Sequence, residues 1–146
     1  MYPDNDTLPL TDTPEIESPA AKAPQFSIEQ KMASIVTLGN YEAALLFSEE
    51  GLPIAQAISP AGPATDADRI AEMAITLQEV SRMAATLGGI SRLREVAIEG
   101  DNHRRIVFRF FRAFEQSVVL AVVVPPAKAY KQKTNELEKL IIGESF

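Results

Sequence analysis

The chain contains no cysteine and a single histidine, His103. The first absence excludes disulfides, thiolate metal sites and a thiol nucleophile. The second excludes a histidine-rich metal centre and leaves no set from which a Ser-His-Asp triad could be assembled, because His103 falls in a hairpin beside two arginines. Long apolar runs are missing too. The strongest, residues 117–126, is about half the length that a membrane-spanning helix requires. The opening residues carry acids and prolines where a secretory signal needs a basic stretch and an apolar core. Positive charge is in deficit: at a formal −6, general affinity for nucleic acid or an anionic membrane is not expected. No phosphate loop occurs, and Gly88-Gly89 lies between a predicted helix and a predicted strand, the wrong context for a nucleotide fingerprint. The expectation is a cytoplasmic protein with no catalytic residues, cofactor or metal site, no nucleic-acid partner and no membrane insertion. It is not expected to be an enzyme.

What is present is enough for one domain: 146 residues, 46% of them hydrophobic. Residues 1–26 read as a disordered, proline-rich acidic tail. Pro3, Pro9, Pro14, Pro19 and Pro24 argue against a continuous helix there, and five acids face only Lys22. The tail therefore holds most of the formal charge, and the remainder is nearly neutral. It is either a solubilising spacer or a partner-binding arm, with Leu8, Leu10 and Ile16 as its apolar anchors. The domain proper spans 27–142, with 143–146 as a C-terminal end.

Ser27 with Gln30 forms a capping box for a short helix striped by Ile28, Met32, Ile35 and Val36. EAALLFS then reads as a strand buried on both faces. In SEEGLPIAQAI, a glycine-closed turn leads to a second strand, which Pro53 assigns to a sheet edge. Glu49 and Glu50 sit side by side on that turn. A glycosidase-type acid–base pair would need two carboxylates facing each other across a cleft.

Thr65 or Asp66 caps the longest helix, in which Ile70, Ala74, Leu77, Val80, Ala84 and Leu87 make one stripe. Ala67, Ala71, Met73, Ile75 and Met83 widen it beyond what a monomer needs to hide, which points to a dimer interface, with a flank set deeper in its own core as the alternative. LREVAIE alternates and is half buried. RRIVFRFF sets Ile106, Phe108 and Phe110 against Arg105, Val107, Arg109 and Phe111, and VVLAVVV is a central strand. A last helix begins at Pro125-Pro126. The fold class is a three-layer α/β domain in the order α-β-β-α-β-β-β-α. It has a five-stranded, mostly antiparallel sheet, a long central helix and two shorter terminal helices. Arg92, Arg94, Arg104, Arg105, Arg109 and Arg112 gather on the later strands and their connections. They read as solvated or cross-strand-paired, with an acidic protein partner or nucleic acid as alternatives.

AALLFSEEGLPIAQA, ADRIAEMAITLQEVSRMAATLGG, LREVAIEG with RRIVFRF, and VVLAVVV together resemble the Roadblock/LC7 family, in this order and over residues 28–142. The resemblance implies a homodimer, or a heterodimer with a paralogue, in which third strands pair edge to edge and long helices pack side by side. On this sequence it assigns Ile70, Met73, Ala74, Leu77, Val80, Arg94, Val96 and Ile98 to the interface. It further implies a non-enzymatic regulator or scaffold that binds a small Ras-like GTPase. As an activating partner, such a protein shifts the switch regions of the GTPase without an arginine finger. The alternatives are a structural adaptor subunit of a motor, filament or signalling complex, and a small-ligand sensor module.

Overall fold

The computed structural model describes residues 13–60, 65–126 and 128–144, with side chains of the first helix from Phe26 onward. Its elements are α1 (Thr13–Gly39), β1 (Ala43–Ser48), β2 (Pro53–Ile58), α2 (Ala67–Leu87), β3 (Glu95–Glu99), β4 (Arg105–Ala113), β5 (Gln116–Val124) and α3 (Lys131–Glu144). The strands form one antiparallel sheet in the order β2-β1-β5-β4-β3. The three-layer α/β architecture and its element order are those expected from the sequence.

β1 is buried at all six positions, because helices cover both of its faces. On one side, Ala44 and Leu46 join Val118, Leu120 and Val122 of β5 under α1 and α3, which contribute Ile28, Met32, Ile35, Leu137 and Ile141. On the other, Ala43, Leu45 and Phe47 meet Phe108, Val119 and Ala121 beneath Ile70 and Ala74 of α2. Strand alternation sends successive side chains to these two cores.

Two helix starts differ from expectation. α1 begins at Thr13, not at Ser27, so Ser27 lies within a helix instead of capping one, and α1 is longer than α2. Proline fixes φ near the helical value and costs backbone bonds without forcing a change of direction. Pro14 stands in the tolerant first turn, and helix-favouring alanines lie between Pro19 and Pro24. Residues 1–12 of the expected tail, including Leu8 and Leu10, are outside the described residues. α3 begins at Lys131 instead of at Pro125-Pro126. A residue preceding proline avoids helical geometry, and the approach to α3 is tied down separately. The Tyr41 hydroxyl donates to the carbonyl of Tyr130 at 3.1 Å and lies 3.4 Å from that of Ala129. Thr134, which interrupts the apolar stripe of α3, is buried with its hydroxyl donating to the Tyr130 carbonyl at 2.6 Å.

The acidic hairpin is a turn, as its glycine implied. Gly51 has φ +87°, and its N–H donates to the Ser48 carbonyl at 2.9 Å. The Ser48 hydroxyl accepts from the Leu52 N–H at 3.2 Å. Pro53 lies on the edge strand β2, where the register slips between Leu46 and Phe47. A Cβ on residue 51 would come within 2.6 Å of Ile75 Cδ1 on α2. Gly51→Ala is therefore expected to destabilise the domain by about 1–2 kcal/mol, through left-handed backbone strain and displacement of Ile75. Urea unfolding measures this; an unchanged midpoint would count against the turn geometry.

Candidate interface

The Asp66 carboxylate caps α2, accepting from the Arg69 N–H at 3.2 Å. Its first turns lie on the sheet, and full burial is confined to them. Ile70 and Ala74 are the only buried residues of α2. Beyond them Val80 is 44% exposed, Met83 57% and Leu87 79%. The spacing of three and four that aligned Leu77, Val80 and Leu87 with Ile70 is a property of the helix alone. Whether that stripe meets the sheet depends on how the helix lies across it.

At the sheet margin, β3 is bonded only to β4 among the described residues, which leave its other side an open edge. Val96 packs partly against the core beneath α2, and Ile98 is 40% exposed. An open groove of about 440 Å³ runs between the two elements, lined by Arg69, Glu72, Met73, Thr76 and Leu77 of α2 and Ile98 of β3. The residues assigned to an interface thus fall into three groups. Ile70 and Ala74 are committed to the protein's own core. Met73, Leu77, Val80, Val96 and Ile98 border the groove or the exposed surface around it. Arg94 stands exposed at the head of β3. Periodicity flagged Met83 and Ile75, but not Ile90, which is also exposed, at 45%, after α2 ends.

The opposite face of β3 holds a polar cluster, of which sequence reasoning anticipated the cross-strand pairing of the arginines but not the contacts to α3. The Arg109 side chain is 11% exposed and donates to Glu95 through Nε, to Asn135 Oδ1 at 2.8 Å and to Glu138 Oε1 at 3.3 Å. The Tyr130 hydroxyl donates to Glu95 Oε2 at 3.0 Å, and Lys131 Nζ approaches the same oxygen at 3.4 Å. Burial pushes the Glu95 carboxyl up, but hydrogen bonds from Arg109 and Tyr130 outweigh it and hold it below its ordinary value. The available signal was an arginine at an inward position of β4, between Val107 and Phe111. This cluster clamps β3, β4 and α3 together. Among the described residues, no group of three or more histidine, aspartate or glutamate side chains could hold a metal ion, and no helix is long and apolar enough to cross a membrane.

The Roadblock/LC7 domain model matches residues 28–114, and the chain belongs to that family. Its members serve as regulatory and scaffold domains. Among solved structures, it is similar to the gliding protein MglB of Thermus thermophilus, with a TM-score of 0.73 at 15% identity over 84% of this chain and 91% of that one. It is also similar to MglB of Myxococcus xanthus, with a TM-score of 0.66 at 14% identity over 80% and 93%. A Roadblock/LC7 domain from Streptomyces avermitilis matches with a TM-score of 0.61 at 20% identity over 77% and 90%. No curated protein sequence matches.

Proposed function

We propose that this protein is a non-enzymatic dimeric regulator or scaffold for a small Ras-like GTPase. The observation that carries the dimer is the open edge of β3 beside an apolar, exposed flank of α2. An unpaired edge invites another strand, and the neighbouring Met73, Leu77, Val80 and Ile98 supply the apolar surface that a second copy would cover. Membership in the Roadblock/LC7 family supports the GTPase as partner, as does the likeness in fold to MglB.

The register of such pairing follows from charge. Opposed residues in an antiparallel pair point to the same face, so a two-fold axis relating two β3 strands passes through a residue. Through Ala97, it sets Glu95 against Glu99 of the second copy, like charges directly opposed. Through Val96, it sets Val96 against its own counterpart and Glu95 against Ala97. We place the axis at Val96.

Two measurements test the reading. Sedimentation at micromolar concentration should give a dimer, and Met73→Asp should weaken it about tenfold or more by burying an unpaired charge. Ile70→Asp is the wrong probe, since Ile70 is 6% exposed within the protein's own core and its loss would strike the fold. A dissociation constant unmoved by Met73→Asp would put the interface elsewhere. GTP hydrolysis by a small GTPase from the same cell, with and without this protein, tests regulation. Acceleration is the expected result; binding with an unchanged rate would make the protein a passive scaffold, and no binding would sink the GTPase reading.

A further inference from the structure

Six arginines fall between positions 92 and 112, and the fold sorts them into two sets. Arg104 pairs with Glu42, Arg105 with Glu99 and the Lys128 carbonyl, and Arg109 with Glu95, Glu138 and Asn135. Arg92, Arg94 and Arg112 have no side-chain partner among the described residues. These three line a single groove of about 410 Å³, together with Phe110, Phe111 and Glu138. The groove lies where the sheet is incomplete. β4 is paired with β5 as far as Ala113 but with β3 only as far as Arg109. The last tie on that side is the Phe110 N–H donating to the Arg94 carbonyl at 3.0 Å.

We propose that this groove binds an extended acidic segment of a partner protein. Charge complementarity carries the argument. In a chain with a surplus of carboxylates, three arginines line one concavity against a single lining carboxylate, Glu138, which Arg109 already engages. Guanidinium forks match carboxylates in pairs of directed hydrogen bonds. An extended segment presents alternate side chains about 7 Å apart on one side, which suits Arg92 and Arg94, two positions apart, with Arg112 across from them. Phe110 gives the segment an apolar contact, and the unpaired end of β4 offers it a neighbouring strand, the mode of β-augmentation. A nucleic acid needs a longer cationic stripe, and this chain carries net negative charge. The groove is concave and holds only three free cations, which disfavours a lipid surface. The inference stands independently of the GTPase and the dimer.

The probe is a fluorescein-labelled peptide, Gly-Glu-Leu-Glu-Val-Glu-Gly, titrated against the full chain by anisotropy at low and high salt. Saturable, salt-sensitive binding is expected. It should weaken about tenfold or more in the Arg92→Ala/Arg112→Ala double variant. Arg92→Lys/Arg112→Lys, which retains charge, should recover part of that loss, and Arg82→Ala on α2 should change nothing. Arg94 is left in place because it heads the strand proposed to pair. Both substituted side chains are exposed, so the thermal melt of the double variant should match the parent. Absence of saturable binding overturns the proposal, as does an equal loss in Arg82→Ala. So does tighter binding of phosphatidylserine vesicles or single-stranded DNA than of the peptide.

Discussion

Mild oxidation of a Val96→Cys variant is expected to convert the protein almost completely into a covalent dimer on a non-reducing gel. The chain has no cysteine of its own, so the introduced thiol can pair only with that of a second copy. Opposed residues of an antiparallel pair have Cα atoms about 4.5–5.5 Å apart, inside the range that a disulfide spans. Ala97→Cys is the control: with the axis at Val96 it faces Glu95 of the second copy and should crosslink poorly. Efficient crosslinking of Ala97→Cys with none at Val96→Cys would move the axis by one residue. Failure of both would exclude the two registers centred on Val96 and Ala97. Addition of reductant should return the monomeric band without altering the fold.

Arg109→Ala is expected to lower the unfolding free energy by about 1–3 kcal/mol, the usual consequence of removing a charged hydrogen-bond partner from part-buried groups. Its guanidinium is the shared donor for Glu95, Asn135 and Glu138, so the substitution leaves two part-buried carboxylates short of a cation. Urea unfolding at neutral pH measures the loss. The acid side supplies a second signature. Glu95 is held below its ordinary value, so its contribution is present above the ordinary glutamate range and is lost as pH falls through the lowered value. Without Arg109 the downward pull weakens, the folded and unfolded values draw together, and the acid limb of stability should be shallower than in the parent. An acid limb that coincides with the parent's would show that Arg109 does not set the Glu95 carboxyl. Because Arg109 ties β3 to α3, the same substitution should also reduce crosslinking through Val96→Cys.

Much of this was legible in one dimension. A run apolar on both faces, AALLFS, can only be an interior strand, and β1 lies between β2 and β5. Pro53 cannot donate to a ladder, and β2 is an edge. Asp66 opens α2, and Gly51 closes the turn in the left-handed conformation. Each of these is a local steric or hydrogen-bonding requirement, which the residue carries with it wherever the chain goes. The helix starts were less legible because a proline signals its cost but not whether the chain accepts it. α1 runs through Pro19 and Pro24.

The sequence by itself determined the layer order, the alternation of strand faces, the edge position of β2 and the presence of more apolar surface on α2 than one sheet can use. Only the tertiary structure decided where that surplus lies. α2 rests on the sheet at Ile70 and Ala74, with Ala67, Ala71, Met73 and Leu77 partly buried beside them, and leaves Val80, Met83 and Leu87 exposed, an outcome set by the helix's position and not by its periodicity. The arginines divide for the same reason. Arg109 and Arg112 are three positions apart in one strand, yet register and the placement of α3 surround the first with acceptors and leave the second with none among the described residues. Ion pairing depends on distances between elements, and no spacing along a single chain contains them.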